Sequence, residues 1–194
     1  MPEHRPAVAR MPALAGFEAR LDTLGDALDL RVLPPRARFS LRLAPGLLGA
    51  LPQVGVLTLD VPVNRGAWSA GRAALRLGPD EWLLLAPEAE SPAFAQALSA
   101  ALAGHPHSLV DIGHRHAALA VAGPGAALIL NSGCPLDLSE AAFPPCAATR
   151  TLLGKAEVVL ARPDARAAFE LECGRSYAAY VRDFLLEAAR GLGG

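Results

Sequence analysis

The feature that most limits the fold of this chain is a short alternating segment with a tight turn at its centre. Residues 73–88 read AALRLGPDEWLLLAPE, so Leu75 and Leu77 alternate with Arg76 before a Gly-Pro-Asp-Glu turn and a second apolar run. Alternation places successive side chains on opposite faces of a strand, and Gly and Pro supply the backbone angles of a turn. The segment therefore predicts a β-hairpin and an antiparallel sheet.

The same criteria predict strands and helices along the rest of the chain. Alternating or apolar segments predict strands at residues 39–43, 55–61, 108–112, 115–122, 156–161 and 169–173. Helices are predicted to begin at Ser91 and Ser176, as capping residues, and at Pro124. The last helix is predicted to bury a stripe made of Tyr177, Val181, Phe184 and Ala188.

Hairpins followed by crossover helices occur twice, so the predicted fold class is α+β with mainly antiparallel sheets. Residues 1–35 are punctuated by proline and are interpreted as an N-terminal arm, with a short helix over residues 17–30. Residues 36–104 then form the first α+β half and residues 105–194 the second. The two halves are expected to make one compact unit.

Charge and cysteine usage argue against several classes of function. A net charge of −1 gives no reason to expect a nucleic-acid partner. The three cysteines are odd in number and form no C-x-x-C pair, which favours free thiols in a reducing compartment. The first residues lack the apolar core of a signal peptide, and no segment is long enough to span a bilayer. We therefore expect a cytoplasmic protein without a membrane partner.

The chain is poor in charge, with 52% hydrophobic and 19% charged residues. Ordinary soluble domains have roughly 25% charged residues. One interpretation is a large partner interface, since permanent interfaces are more apolar than other surfaces. The other interpretation is that the apolar fraction is high because 40 of the residues are alanine, which has little preference between core and surface. Composition leaves both open.

Four of the five histidines form two His-x-His pairs, at His105, His107, His114 and His116. On a strand, such a pair lies on one face and could grip one metal ion. No Cys or Glu follows at a recognisable ligand spacing, however. Leu119 lies on the opposite face from His114 and His116 and marks the core side. The alternative is that the imidazoles are surface or interface groups on the less buried face of the sheet.

The other candidates for chemistry each have a plain structural alternative. Cys134 could be a nucleophile or an idle buried thiol, and Asp80 with Glu81 could be an acid–base pair or solvated turn residues. Arg150 and Arg175 could clamp a carboxylate or phosphate, or form salt bridges within the chain or across an interface. The sequence GPGAAL at residues 123–128 departs from a dinucleotide fingerprint and is better explained as a helix start. The residues alone thus predict a soluble α+β domain without a catalytic constellation.

Three stretches taken together carry a resemblance to a known family. They are LGPDEWLLLAP at residues 77–87, VDIGHRHAALAVAGPGAALILNSGCPLDLS at residues 110–139, and the pair FPPCAATRTLLGKAEVVL (143–160) and FELECGRSYAAYVRDFL (169–185). In order and spacing they resemble the gamma subunit of heterotetrameric sarcosine oxidase over roughly residues 36–190. One departure is Cys146, where the family usually has the glycine of F-P-P-G; a glycine there indicates a special backbone angle.

The resemblance implies a fold related to the folate-binding domain of the glycine-cleavage T-protein, with two ferredoxin-like halves. It also implies partners, the alpha, beta and delta subunits of an oxidase that demethylates sarcosine to glycine and passes the one-carbon unit to tetrahydrofolate. The alpha and beta subunits would hold FAD, FMN, NAD and the tetrahydrofolate site, and the delta subunit zinc. The gamma chain itself would hold no cofactor, metal or catalytic residue and would serve assembly. The structural or interface candidates in the matched motifs are Asp80, Glu81, Trp82, His114, Arg115, Arg150, Arg175, Ser176 and Tyr177.

Two other functions remain as hypotheses. A stand-alone tetrahydrofolate-binding or aminomethyltransferase-like protein would need a carboxylate for the pterin ring, and Asp111 and Asp137 are the candidates. A metalloprotein would use the histidine cluster at residues 105–116.

Overall fold

The computed structural model describes residues 12–15 and 28–191. In chain order, the strands are β1 (Asp29–Val32), β2 (Arg36–Leu43), β3 (Gln53–Val54), β4 (Leu57–Thr58), β5 (Arg65–Ser69), β6 (Arg72–Gly78), β7 (Glu81–Pro87), β8 (His107–Asp111), β9 (His116–Ala122), β10 (Ala148–Leu153), β11 (Ala156–Ala161) and β12 (Ala168–Gly174). The helices are α1 (Ser91–Leu102), α2 (Ala126–Asn131) and α3 (Ala178–Arg190). The predicted α+β class with antiparallel sheets is confirmed.

The first sheet has the strand order β5-β6-β7-β2-β8, and all its pairings are antiparallel. The predicted hairpin is present as β6 and β7, with a bulge between Arg76 and Gly78. Helix α1 covers one face of this sheet with Phe94, Leu98 and Leu102, which are buried in its core. The strand order β6-β7-β2-β8, with α1 between β7 and β8, is that of a ferredoxin-like half.

The second sheet has the order β1-β9-β12-β11-β10 and packs its core against α2 and α3. Its strands β11, β12, β9 and β1 occupy the same relative places as β6, β7, β2 and β8 in the first sheet. The two halves are therefore built alike, and both ferredoxin-like halves are confirmed.

Two strands lie in a different half from the predicted one. The sequence predicts an N-terminal arm over residues 1–35, but β1 within it pairs with β9 as an edge of the second sheet. This pairing is favoured because Leu28 and Leu30 are buried in the second core, while Asp29 and Arg31 on the other face stay exposed. Conversely, β8 follows residue 104 in the chain yet pairs with β2 of the first sheet. The predicted boundaries at residues 35 and 104 are therefore wrong for these strands.

Several local predictions are also corrected. Residues 55–61 form only the short strand β4, because Gly55 has a φ of 61° and turns the chain there. Neither Ser91 nor Ser176 caps a helix with its side chain. The predicted helix over residues 17–30 falls largely outside the described residues, and its described end is a strand.

The buried stripe of α3 is displaced from the predicted one. The structure buries Ala178, Val181, Leu185 and Ala189. Tyr177 precedes the helix and is exposed, and Phe184 is only partly buried. A 3-10 turn over Arg175–Tyr177 precedes α3, so the helix begins at Ala178, two residues after the predicted start.

Candidate functional site: the charged interface between the two sheets

The two sheets face each other across a layer that is apolar on one side and charged on the other. The apolar part is made by Ala73, Leu75, Leu83 and Leu85 from the first sheet and Ala148, Val159 and Ala161 from the second. Strands β5 and β10, which the sequence analysis missed, meet at one margin of this layer. There Gly66 N donates to Cys146 O at 2.9 Å, and Ala148 N donates to Asn64 O at 3.1 Å. Backbone hydrogen bonds thus tie the two sheets together at this margin.

The charged part of the layer joins β2 to β12. Arg38 Nε donates to Glu172 Oε2 at 2.6 Å and Arg38 Nη2 to Glu172 Oε1 at 3.3 Å, with 3% of each side chain exposed. Beside this pair, Arg36 Nη1 donates to Glu170 Oε2 at 2.6 Å and lies 3.8 Å from Glu172 Oε1. The remaining Arg38 Nη1 donates to the carbonyl oxygens of Arg36 and Gly113. Each of the three guanidinium nitrogens of the buried Arg38 therefore has a hydrogen-bond acceptor.

The alternation of β2 and β12 explains why these charges meet. On β2, Phe39 faces the first core, so Arg38 must point to the opposite face. On β12, Leu171 faces the second core, so Glu172 points toward the first sheet. Burial raises the pKa of Glu172, although the positive charges of Arg38 and Arg36 act in the opposite direction. The signal for this site was present in the sequence as charges at alternate positions of apolar strands, but it was missed.

Glu81 is the centre of a second ion-pair cluster between the halves. Arg150 on β10 donates from Nη2 to Glu81 Oε1 at 2.6 Å and from Nη1 to Oε2 at 3.2 Å. Arg42 Nη2 lies 3.1 Å from Glu81 Oε2, and Arg42 Nη1 donates to Asp80 Oδ1. The hydrogen bonds from Arg150 lower the pKa of Glu81. Glu81 is therefore a structural carboxylate and not one half of an acid–base pair with Asp80.

Trp82 anchors the same turn to the first core. Its side chain is fully buried, Nε1 donates to Leu59 O at 3.0 Å, and the Arg76 guanidinium lies 5.1 Å from the ring centroid. An indole in this position has both its apolar area and its N–H satisfied within the chain. Trp82 therefore stabilises the core of the first half.

A cavity of about 360 Å³ opens beside the Arg38–Glu172 pair. It is walled by the segment 12–15, by residues 32–35 and by the start of β9, and among its polar lining groups are Glu88, His114, His116 and Arg175. His116 is half-buried, and burial lowers its pKa, with the charge of Arg38 acting in the same sense. The cavity is thus a mainly apolar crevice with a few polar groups at its wall, among them Arg38 and the half-buried His116.

The four clustered histidines are not brought together. His107 begins β8 in the first sheet, with its Nδ1 2.8 Å from His105 O, while His114 lies in a 3-10 turn and His116 begins β9 in the second sheet. Among the described residues, no group of three or more His, Cys, Asp and Glu side chains is placed to hold a metal ion. His116 lies on the face between the sheets, where Ala118 and Ala120 are 2% and 5% exposed against 0% for Leu119 and Val121 on the opposite face, so both faces are buried and the predicted difference is small.

The remaining candidates are spread over the surface or used locally. Arg115 and Tyr177 are exposed, as are Arg175 and Ser176 in the 3-10 turn before α3. Cys134 is buried in the second core with its Sγ 3.9 Å from Thr151 Oγ1, as expected of an idle thiol.

The two carboxylates considered for a pterin ring are also used locally. Asp111 Oδ1 accepts from Gly113 N and Asp137 Oδ1 from Ser139 N, and neither residue lines the cavity beside Arg38. Asp137 lines a separate crevice with Asn64 and Thr149, so the two carboxylates are not placed in a common site, and folate binding stays a hypothesis.

Cys146 adopts the left-handed backbone that its place in the sequence predicted. Its φ is 64°, a value that glycine takes without strain and that an L-residue adopts at a cost. Its carbonyl accepts the hydrogen bond from Gly66 that joins β5 to the second half, and its N–H donates to Arg162 O. The turn is retained despite the cysteine because bonds on both sides hold it.

Similar proteins agree with this architecture. The model of the sarcosine oxidase gamma subunit family matches residues 44–190. The gamma subunit of an Arthrobacter sarcosine oxidase is 35% identical over 161 residues, covering 80% of this chain and 78% of the relative. That of Corynebacterium sp. strain U-96 is 34% identical over 159 residues, covering 79% and 77%.

Solved structures show the same fold. A chain of the heterotetrameric sarcosine oxidase from Corynebacterium sp. U-96 superposes with a TM-score of 0.85 at 29% identity, covering 95% of this chain and 97% of that one. The glycine cleavage system aminomethyltransferase T of Bartonella henselae shares the fold at a TM-score of 0.65 and 16% identity, over 84% of this chain and 47% of that one. No helix in the described part of the chain is long and apolar enough to cross a membrane. The family model spans most of this chain and the relatives align over most of their length, so the chain belongs to the sarcosine oxidase gamma subunit family.

Proposed function

We propose that this chain is a non-catalytic subunit that assembles and stabilises a heterotetrameric sarcosine oxidase with alpha, beta and delta subunits. The observation that carries the proposal is the use of the motif residues. Glu81, Trp82 and Arg150 lie in the stretches that resemble the family, and each is engaged in contacts inside the chain. These motif residues thus stabilise the chain itself, Trp82 within the first half and the Glu81–Arg150 pair between the halves, which is what a structural subunit requires.

The electrostatics of the interface support the same assignment. A general acid or base needs a pKa near the working pH and access to a substrate. Glu172 is enclosed by Arg38 and Arg36, and Glu81 is held as a carboxylate by Arg150. In this proposal the demethylation of sarcosine, and FAD, FMN, NAD, tetrahydrofolate and zinc, belong to the other subunits. We place the complex in the cytoplasm, in keeping with free Cys134, Cys146 and Cys173.

The test is co-expression of the four subunits with an affinity tag on this chain. We expect the larger subunits and their flavin absorbance to be recovered with it, and sarcosine to bleach the flavin. A matched preparation without this chain should yield less assembled oxidase, with unchanged flavin bleaching per assembled particle. Recovery of this chain alone, free of flavin, would refute the proposal. Heat released on calorimetric titration of the isolated chain with tetrahydrofolate would favour the folate-binding alternative instead.

A further inference from the structure

We propose that the outer edge of β8 is a docking edge, to which an extended segment of another oxidase subunit adds as a further strand. The proposal rests on the proposed function and states which surface serves the assembly. It is carried by the hydrogen-bond register of β8, by its exposure, and by the condition of the other sheet edges in the described part of the chain.

The register shows which backbone groups point outward. Ile112 N donates to Arg38 O at 2.9 Å, which makes Arg38 and Ile112 a hydrogen-bonded pair. In an antiparallel ladder, bonded and non-bonded pairs alternate. Ser108 and Val110 are therefore bonded inward to β2, since their partners are Arg42 and Ser40. The N–H and C=O groups of the residues between them point away from the sheet; these residues are His107, Leu109 and Asp111.

The other edges are occupied or guarded. Strands β5 and β10 are hydrogen-bonded to each other at one end, through residues 64–66 and 146–148, and the rest of β10 carries the charged side chain of Arg150. The edge strand β1 has only four residues and carries the exposed charges of Asp29 and Arg31. Charged side chains and short length are the usual means by which proteins prevent a sheet edge from pairing.

The edge of β8 has less of this protection, since its one acidic residue, Asp111, is the last residue of the strand. Its five residues, HSLVD, contain no lysine, proline or bulge, and the register against β2 is unbroken. Four of the five are exposed, including Val110 with 47% of its surface in contact with solvent. An edge with an unbroken register and an exposed β-branched residue is a template for strand addition.

The occupant we infer is a segment of a partner subunit. Proteins with this fold exist as one chain of a heterotetramer, as in the Corynebacterium oxidase. The added strand would place an apolar or β-branched side chain beside Val110 and a basic one near the carboxylate of Asp111. A second copy of this chain is the competing occupant and is separated by the experiment.

The experiment uses the assembled oxidase and the variants Leu109→Pro and Leu109→Ala. Proline removes an N–H that points outward and is tolerated on an edge strand, so the ladder to β2 stays intact. Alanine removes the same apolar side chain but keeps the N–H. We expect Leu109→Pro to reduce co-purification with the larger subunits about tenfold or more relative to Leu109→Ala. Equal recovery of the two variants would overturn the proposal.

Amide hydrogen exchange on the wild-type complex tests the docking edge without a variant, so it remains informative even if Leu109→Pro misfolds. The amides of Ser108, Val110 and Ile112 are protected by β2 in any state. We expect those of Leu109 and Asp111 to be protected as well, and free exchange at both would overturn the proposal. If the wild-type chain recovers no other subunit, the proposed function fails; if it does so while these amides exchange freely, only the docking edge fails.

The occupant is identified by a photo-crosslinking residue in place of Val110. A product with the mass of this chain plus a different subunit supports the proposal. A product of twice 20.1 kDa, two copies of this chain, overturns it.

Discussion

The pair formed by Arg38 and Glu172 gives the sharpest test of how the halves are held together. We consider the single variants Arg38→Met and Glu172→Leu and the double variant that carries both. Each single change leaves the opposite charge buried without its partner, since only 3% of either side chain is exposed. The double change replaces both charges by apolar groups of similar volume.

The expected magnitude follows from the burial. Removal of one member of a buried ion pair costs ~3–5 kcal/mol, whereas replacement of both members is often close to neutral. For a chain of this length, 1 kcal/mol corresponds to about 2–4 °C in Tm, so each single variant should lose roughly 6–20 °C. The double variant should lie much closer to the wild type than the sum of the single changes.

The two single variants should differ in their response to pH. In Arg38→Met the carboxylate of Glu172 loses its bidentate partner and keeps only the more distant Arg36, at 3.8 Å, and burial already raises its pKa in the wild type. A raised carboxyl pKa means that the folded state takes up a proton above the unfolded pKa, so the deficit relative to wild type should shrink as the pH falls from about 8 to 5. In Glu172→Leu the remaining guanidinium stays charged throughout this range, and the deficit should not change.

The assay is thermal and urea unfolding of the four proteins, followed by circular dichroism at both pH values. The coupling energy of the double-mutant cycle should be several kcal/mol, because each single variant strands a charge that the double variant lacks. A coupling energy below about 1 kcal/mol, or an equal pH response of the two single variants, would refute the account of a buried and mutually dependent pair.

Three further variants test the neighbouring structure. Because Arg150 lowers the pKa of Glu81, the stability that this pair contributes is complete above the unfolded pKa and is lost as the pH falls through the folded pKa. Glu81→Gln should thus cost about 1 kcal/mol at neutral pH, a value reduced because Arg150 is solvent-exposed, and little in acid. Cys146→Gly should raise Tm by about 2–4 °C by relieving a positive φ, and Cys146→Ala should not. Gly154→Ala places a Cβ 2.3 Å from Tyr180 Oη at a residue whose φ is 57°. The free energy of unfolding should fall by about 2–4 kcal/mol, and by less in a Tyr180→Phe background. An equal loss in both backgrounds would contradict a clash at the hydroxyl. Thermal unfolding measures the change in Tm of the Cys146 variants, and urea unfolding measures the free-energy changes of the other two.

The sequence predicted those structural features that are determined by residues close together in the chain. The hairpin over residues 73–88 follows from alternation and turn chemistry alone, and the structure has it as β6 and β7. Phe94, Leu98 and Leu102 follow helical spacing in the sequence, and the structure buries them on one face of α1. The positive φ at Cys146 followed from the glycine usual in the family. Each of these features is settled within a few residues, where local physical preferences are strong.

What the sequence did not predict depends on contacts between distant residues. Arg38 and Glu172 are 134 residues apart, and nothing near either one indicates its partner. The alternation of Leu28 and Leu30 with Asp29 and Arg31 was a strand signal, but proline-rich flanks favoured an arm. The start of α3 was misjudged because a 3-10 turn, and not a serine cap, precedes it.

The exchange of strands between the halves shows why this chain works as a unit. Residues 36–104 alone would lack β8, and residues 105–194 alone would lack β1, so neither half has a complete ferredoxin-like sheet of its own. The crossing strands bring the charged face of β2 over β12, where Arg38 and Arg36 meet Glu172 and Glu170. A chain with few charges thus places several of them between its sheets, and the motif residues Glu81 and Arg150 join its two halves. The surface left for a partner is then defined by backbone geometry, at the edge of β8, and not by a cluster of reactive side chains.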